Sequence, residues 1–179
     1  MFLTNFPLWY HNGDACWHNA RQLATVTIEG EHHMWKIIST NDEMLEFMDE
    51  VCSFHDSCIK EISYVSGAYV DVNLAMHPLN NRRVLRVLIQ RQSEKNSMIE
   101  IEFQGLKYLK LFPVDENYTC EILDSTMVMK DGNIYWCDSG NVSESDLDNY
   151  TGTLICASKF KWRSIENHMG KSEFYHSAV

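Results

Sequence analysis

The sequence predicts an α+β fold, in which a mostly antiparallel sheet of about eight strands in hairpin order carries one main helix. Two observations lead to this prediction. Strand-like runs of alternating apolar and polar residues fill most of the chain after residue 57. Only one stretch, at about residues 41–52, repeats its apolar residues at helical spacing. A single helix followed by a long run of strands is typical of a helix packed on one face of an antiparallel sheet.

The predicted helix has a clear start signal. Thr40 followed by Glu43 matches the capping box, in which the threonine hydroxyl and the glutamate carboxylate each accept a hydrogen bond from a backbone N–H. Met44, Met48 and Val51 follow at helical spacing. Leu45 and Phe47 flank them, so we expect the helix to pack on the sheet through this apolar side.

The predicted strands are recognised by alternating residues and by the turn signals between them. The clearest alternation lies in 97–104, where Ile99 and Ile101 point inward while Glu100 and Glu102 point outward. Basic residues on neighbouring strands, including the later Lys159, Lys161 and Arg163, are expected to pair with carboxylates across the sheet. In chain order the predicted strands are 23–29, 33–39, 58–65, 69–76, 83–91, 97–104, 118–130, 133–138 and 153–163. The pattern of residues 106–112 fits a strand and a short helical turn equally well.

The length of 179 residues fits one domain with one core. We expect that domain to cover 1–163. Residues 164–179 show no periodicity and are expected to form a flexible C-terminal tail. Residues 1–22 are rich in aromatic side chains but also lack a period, which predicts an irregular segment packed on the body.

The charge of the chain excludes several kinds of partner. There are 25 acidic and 15 basic residues, which gives a formal charge of −10. Nucleic-acid binding needs a basic surface that replaces the counterions of the phosphates, and anionic membranes repel an acidic protein. We therefore expect neither nucleic acid nor a membrane as partner. An acidic surface favours a basic protein partner, or serves solubility alone.

The six cysteines do not have the spacing of a disulfide framework or a zinc site. Cys58, Cys120 and Cys156 lie in apolar strand-like runs, where cysteine behaves as a small hydrophobic residue. The first residues lack the basic and apolar regions of a signal peptide. These observations predict reduced cysteines and a cytoplasmic location.

The four residues His55, Asp56, Ser57 and Cys58 are the candidate for catalytic chemistry. A histidine beside an aspartate can act as a general base, as a metal-ligand pair or as half of a nucleophilic site. In an extended segment, however, neighbouring side chains point to opposite faces, so His55 and Asp56 would not act on one atom. The alternative is structural, since Asp56 or Ser57 can satisfy backbone N–H groups where the helix gives way to the strand.

No cofactor or metal is expected from the motifs. Among the eight histidines there is no HExxH pattern, and no Cys or His pair has zinc-finger spacing. The three histidines that the topology could bring together are His32, His33 and His55. The glycine-rich loops that hold nucleotide phosphates are absent from the sequence.

The stretch around the His–Asp pair resembles a loose set of small bacterial proteins. In that set, a hydrophobic residue, His, Asp and a small residue open the first strand of a sheet. The likeness covers roughly residues 40–105 and rests on Phe54, His55, Asp56, Ser57, Ile59 and Ile62. Some members resemble immunity proteins, which bind and block bacterial toxins. The resemblance implies binding without catalysis and implies no catalytic residue.

Together these observations favour a non-enzymatic protein that acts by protein–protein contact, such as an immunity-type inhibitor of a basic toxin or nuclease. Trp9, Tyr10 and Trp17 are the candidate anchor residues, with burial in the core as their alternative role. One alternative function is a hydrolase that uses His55 and Asp56, and another is a small-ligand binder with a cleft between helix and sheet. An open sheet also leaves an edge strand through which a homodimer can pair.

Overall fold

The computed structural model describes residues 34–165 and 169–171, and in these residues the α+β prediction is confirmed. Most of the structure is antiparallel sheet, with one α-helix. The elements are β1 (Lys36–Ile38), α1 (Asn41–Glu50), β2 (Ser57–Val65), β3 (Tyr69–Val70), β4 (Met76–His77), β5 (Val84–Arg91), β6 (Met98–Lys110), β7 (Thr126–Lys130), β8 (Asn133–Cys137) and β9 (Leu154–Ser164). Single turns of 3₁₀ helix lie at Cys52–Phe54 and Leu147–Asn149. The predicted strand 23–29 and the segment 1–22 lie outside the described residues.

The main sheet has the strand order β2-β5-β6-β9-β8-β7, and β3 and β4 form a separate two-stranded sheet. Consecutive strands pair as β5–β6, β7–β8 and β8–β9. Strand β9 also pairs with β6, so it lies between β6 and β8 in the sheet. Along its other side β9 pairs first with β8 and then with β1. Strand β2 pairs with β5 and has a bulge between Ile59 and Glu61.

Helix α1 begins as predicted. Glu43 donates its backbone N–H to the Thr40 hydroxyl at 3.2 Å, and the Glu43 carboxylate accepts the Thr40 N–H at 3.0 Å. The helix ends at Glu50, slightly earlier than predicted, because Cys52 and Ser53 have positive φ angles of 48° and 49°. Left-handed residues cannot continue a right-handed helix.

The core lies between α1 and one face of the sheet. Phe47 of α1 is its centre, with its ring centroid 4.9 Å from that of Trp162 and 5.1 Å from that of Phe160 on β9. Phe54, from the 3₁₀ turn, packs edge-on against Phe47 at 5.7 Å. The neighbouring strands β5 and β6 contribute the buried apolar residues Leu85, Val87, Ile89, Ile99, Ile101 and Phe103. Burying each such side chain contributes roughly 1.5–3 kcal/mol.

The opposite face of the sheet carries a ladder of paired charges, as predicted. Glu100 is only 1% exposed and accepts hydrogen bonds from Arg163, with Nη2 to Oε2 at 2.6 Å. Glu102 is paired with Arg86 on β5 and with Lys161 on β9, each at 3.1 Å. The basic side chains cover both carboxylates, which explains how two glutamates can be buried in a sheet.

The short strand β1 is held through aromatic and charged contacts on both of its faces. On the outer face, the Trp35 ring lies 4.1 Å from Lys161 Nζ and 4.6 Å from Arg163 Cζ. On the inner face, Lys36 Nζ lies 4.5 Å from the centre of the Trp162 ring. Cation–π contacts of this kind are each worth about 0.5–1 kcal/mol at exposed sites.

A buried arginine joins the end of α1 to the sheet. Arg91, at the end of β5, donates from Nη2 to the carbonyl of Val51 at 2.8 Å. Its Nη1 donates to the carbonyls of Asn96 at 3.2 Å and Lys95 at 3.3 Å. Burial lowers the pKa of Arg91, and the charge of Glu50 opposes that shift. A cation at this position also interacts favourably with the negative end of the helix dipole.

The apolar stretch 69–76 is the main place where the predicted fold is wrong. The sequence predicts one strand there, with Val70, Val72, Leu74 and Met76 on one face, but a turn at Asp71 divides it into β3 and β4. Val72 is 97% exposed and Leu74 is 84% exposed. The predicted strand 118–130 is likewise shorter, since only Thr126–Lys130 is regular.

We expect Arg91→Leu to lower the free energy of unfolding by about 2–4 kcal/mol, because it leaves buried carbonyls, including that of Val51, without a donor. Urea denaturation measures this change. Arg82→Leu, at an exposed position in the same fold, is the control and should change it by less than about 0.5 kcal/mol. Equal effects of the two substitutions would contradict a capping role for Arg91.

A second prediction concerns Glu102 and pH. Burial by itself raises the pKa of Glu102, but hydrogen bonds from Gln104, Lys161 and Arg86 outweigh burial and hold the pKa below its ordinary value of 4.5. A lowered pKa in the folded state gives stability that is present above pH 4.5 and is lost as the pH falls through the folded pKa.

The wild type should therefore lose more stability than Glu102→Gln when the pH is lowered from about 5 to about 3. Urea denaturation at each pH measures the difference. Glu46→Gln, on the exposed side of α1, should keep the wild-type slope. Parallel slopes for the wild type and Glu102→Gln would show that the charge of Glu102 contributes nothing to stability.

Candidate functional site

The His55–Asp56 segment has an unusual backbone. Phe54 and Asp56 have positive φ angles of 61° and 54°, and they follow Cys52 and Ser53, which are also left-handed. Each non-glycine residue in this region costs roughly 1–2 kcal/mol. The packing of Phe54 and hydrogen bonds such as that from Gln92 N–H to the Asp56 carbonyl at 2.9 Å hold the segment in place.

This backbone brings His55 and Asp56 together. His55 Nδ1 lies 3.0 Å from Asp56 Oδ1, with the His55 side chain 60% exposed. The expectation that the two side chains point to opposite faces is wrong, because it assumed an extended backbone and Asp56 is left-handed. The pair is therefore available to solvent as a single polar group.

The two nucleophile candidates do not join this pair. The Ser57 hydroxyl donates to the backbone carbonyl of His55 at 3.3 Å rather than to its ring. Cys58 is half-buried, and burial is the main cause that raises the pKa of its thiol. A thiol with a raised pKa is a poor nucleophile at neutral pH. The geometry therefore gives a His–Asp pair, with neither Ser57 nor Cys58 beside its ring.

Several other predicted site residues lie outside the described part of the chain. These are the anchor candidates Trp9, Tyr10 and Trp17 and the metal candidates His32 and His33. Within residues 34–165 and 169–171, no group of three or more His, Cys, Asp or Glu side chains is placed to hold a metal ion. In the same residues, no helix is long and apolar enough to cross a membrane.

The prediction that all the cysteines are reduced is wrong at Cys52. Cys52 is disulfide-bonded. Cys58, Cys120, Cys137 and Cys156 are free. Cys156 is buried in β9, and burial is the largest cause that raises its pKa, which fits the prediction that it acts as a small apolar residue. The same prediction is wrong for Cys120, which is exposed and lies outside the strands.

The strongest electrostatic feature is an acidic region formed by residues 111–148, here called the acidic end. It contains nine acidic residues and one lysine, a net charge of −8. The described residues 34–110 and 149–165 together have eleven acidic and twelve basic residues, which nearly cancel. The negative charge of the described chain is therefore concentrated in this region, which comprises the β7–β8 hairpin and the loops on either side of it.

The two loops of the acidic end are bound to each other and to the start of β9. Asp138 accepts hydrogen bonds from the Tyr150 hydroxyl at 2.5 Å and from the Thr153 N–H at 3.0 Å. Burial, followed by the bond to Asp138, raises the pKa of Tyr150 well above its ordinary range. Phe112 donates its N–H to the Thr153 hydroxyl at 3.3 Å, which ties the first loop to the same strand. Both loops of the acidic end are thus fixed to the start of β9.

No family model, no curated protein and no solved structure matches this chain. The candidate site therefore rests on its geometry and chemistry.

Apolar side chains are exposed among the carboxylates of the acidic end. They are Leu111, Phe112, Val114, Tyr118 and Leu123. A surface that combines exposed apolar groups with charge of one sign is typical of a protein-binding site. The sequence alone predicts only a polar acidic loop at 139–152. The contacts that join this loop to residues 111–125 through Asp138 and Thr153 have no local sequence signal.

We expect Tyr150→Phe to lower the free energy of unfolding by about 1–2 kcal/mol, because Asp138 loses the stronger of its two hydrogen bonds. Urea denaturation measures the loss. Tyr118→Phe removes a hydroxyl from an exposed ring of the same region and should change the value by less than about 0.5 kcal/mol. If the two substitutions have the same effect, the bond to Asp138 does not organise the acidic end.

Proposed function

We propose that the protein acts without catalysis, by binding a basic protein through the acidic end, as an immunity-type inhibitor of a toxin or nuclease would. The observation that supports this proposal best is the net charge of −8 carried by residues 111–148 together with five exposed apolar side chains. Charge of one sign steers an oppositely charged partner and raises its association rate. The apolar side chains, above all Phe112 and Tyr118, then supply the area that is buried on binding.

The state of the carboxylates supports a cationic partner. Seven of the nine acidic residues in this region are exposed. None of these seven forms an ion pair with another described residue. By contrast, Glu50, Glu100 and Glu102 elsewhere in the sheet and helix are each paired with a lysine or arginine. Unpaired like charges repel one another, and a basic partner removes that repulsion.

A hydrolase remains the second candidate, because His55 and Asp56 are in contact at 3.0 Å and open to solvent. A general base of this kind needs a reacting group within hydrogen-bond reach. Ser57, which bonds a backbone carbonyl instead, does not supply one. The binding proposal is therefore preferred, and His55→Ala separates the two functions.

The cytoplasmic location and bacterial origin expected from the sequence stay predictions.

The test is affinity capture from the lysate of the native host, with the immobilised full chain and quantitative mass spectrometry. The wild type should retain one basic protein in stoichiometric amount, and retention should fall as salt is raised, because salt screens exposed charges. The triple variant Asp115→Asn/Glu116→Gln/Glu121→Gln removes three charges from the acidic end. It should weaken retention at least about tenfold, since each charge near a partner contributes on the order of 0.5 kcal/mol.

The matched control removes the same number of charges from the exposed side of α1, as Asp42→Asn/Glu46→Gln/Asp49→Asn. It should retain the partner as the wild type does, and so should His55→Ala. If both triple variants lose retention of the partner equally, net charge alone explains binding, and a specific acidic surface is refuted. If His55→Ala loses the partner while both triple variants retain it, the binding site is at the His–Asp pair and not at the acidic end.

A further inference from the structure

The most exposed apolar residues of the described chain lie on one projection, here called the arm, formed by residues 66–82. It leaves the sheet after β2, contains β3 and β4, and returns at β5. Val72 and Leu74 form its tip, and Met76 and Leu79 are also well exposed. Between residues 68 and 81 the only carboxylate is that of Asp71. The arm therefore offers an apolar, nearly uncharged surface in an acidic protein.

The arm is an ordered hairpin. The Asp71 carboxylate accepts the N–H groups of Asn73 at 2.9 Å and Ala75 at 3.0 Å, and its second oxygen lies 3.2 Å from His77 Nε2. Tyr69 stacks on His77, with ring centroids 4.4 Å apart and planes at 9°. Asp71 thus directs its charge into the turn, and the apolar tip is held in one conformation before any partner arrives. Such preorganisation reduces the entropy lost on binding.

The conformation and the exposure of Leu74 at the tip are both unfavourable in the isolated chain. Leu74 has a positive φ of 62°, a conformation that glycine or asparagine adopts with little strain and that is unfavourable for leucine. Its side chain is also left in water. A leucine here becomes favourable only where its side chain is removed from water by contact with another surface.

A matching depression lies on the same molecule. Strand β9 changes partners from β8 to β1, and the gap between those two strands opens into a groove of about 540 Å³. Ile38, Ile134 and Phe160 give it an apolar floor, and Ile37, which is 67% exposed, forms one wall. The rim carries Lys159 and other polar groups, and the described residues that line the groove include no carboxylate. An uncharged apolar tip fits such a site.

The sheet register places the arm and the groove side by side. Val84, where the arm rejoins the sheet, is paired with Gln104 on β6, and Gln104 is paired with Lys159 on β9. Neighbouring strands are about 4.8 Å apart, so the base of the arm lies about 10 Å from the rim of the groove, in the same row. If a two-fold axis passes beside that row, the arm of each copy can enter the groove of the other copy. Such a contact closes on itself and forms a dimer rather than a filament.

We infer that the protein forms a symmetric dimer with a second copy of itself, in which the apolar tip of each arm is seated in the groove of the other copy. The surface involved is separate from the acidic end, so this inference goes beyond the proposed function and is tested without the basic partner.

Sedimentation equilibrium of the purified full chain tests the inference. The wild type should show a concentration-dependent monomer–dimer equilibrium. Val72→Asn/Leu74→Asn should raise the dissociation constant at least about a hundredfold, because two apolar side chains no longer leave water on association. Asparagine tolerates the left-handed backbone at residue 74, so the thermal unfolding temperature should not fall. The control Leu45→Asn/Leu123→Asn, at two exposed leucines elsewhere, should dimerise as the wild type does.

The groove is tested separately with Ile37→Gln, which should raise the dissociation constant at least about tenfold. An equimolar mixture of this variant and the arm variant should associate more tightly than either variant alone, because the mixed pair keeps one unaltered tip in one unaltered groove. A monomeric wild type, or a dimer that survives the asparagine tip, overturns the inference. So does an arm variant that dissociates while Ile37→Gln does not. Co-sedimentation of a monomeric wild type with phosphatidylcholine vesicles would assign the tip to a lipid surface instead.

Discussion

Strand β9 spans eleven residues, and neither β8, with five, nor β1, with three, is long enough to pair along its whole side. The acidic end, the helix contact and the groove all follow from this difference in strand length. The first half of β9 binds the β7–β8 hairpin and so anchors the acidic end. The second half presents Phe160 and Trp162 to the helix on one face. The gap between the two halves is the groove.

The carboxylates of this protein are used in two opposite ways. Glu100 and Glu102 are withdrawn from water, and each is matched by cations on neighbouring strands, so that their charge contributes to the register of β5, β6 and β9. Most of the acidic residues of 111–148 lie in loops, and none of the exposed carboxylates forms an ion pair with a described residue. Repulsion among them is a cost to the free chain that local contacts such as Asp138 with Tyr150 offset. In the proposed complex, a basic partner would remove this repulsion.

Much of the fold could be predicted from the sequence because its signals are local. The capping box of Thr40 and Glu43 and the alternation around Glu100 and Glu102 each depend on residues that are close in sequence. The arm could not be predicted in this way, since the alternation of Val70, Val72 and Leu74 normally indicates one buried face. The side chain of Asp71, bound to two N–H groups beyond it, turns the chain there instead.

The candidate site shows the same limit. His55 and Asp56 are recognisable in the sequence from their chemistry. Their contact, however, depends on positive φ angles at residues that are not glycine. Such angles are imposed by long-range packing, here by the burial of Phe54 and the hydrogen bonding of β5. The acidic end was recognised only in part, because the bonds of Asp138 and Thr153 that unite its loops join residues from different segments of the chain.

The bulge in β2 has a consequence for how this fold can aggregate. Strand β2 is an outer strand of the sheet, and in the described residues a single bridge, Ser57 to Ile122, lies on the side of β2 away from β5. Beyond that bridge, the shift between Ile59 and Glu61 puts the N–H and carbonyl groups on that side out of phase with those of a straight incoming strand. Lys60, at the bulge itself, adds a charge that an added strand would have to desolvate. Strand-by-strand growth into fibrils is therefore obstructed at this edge.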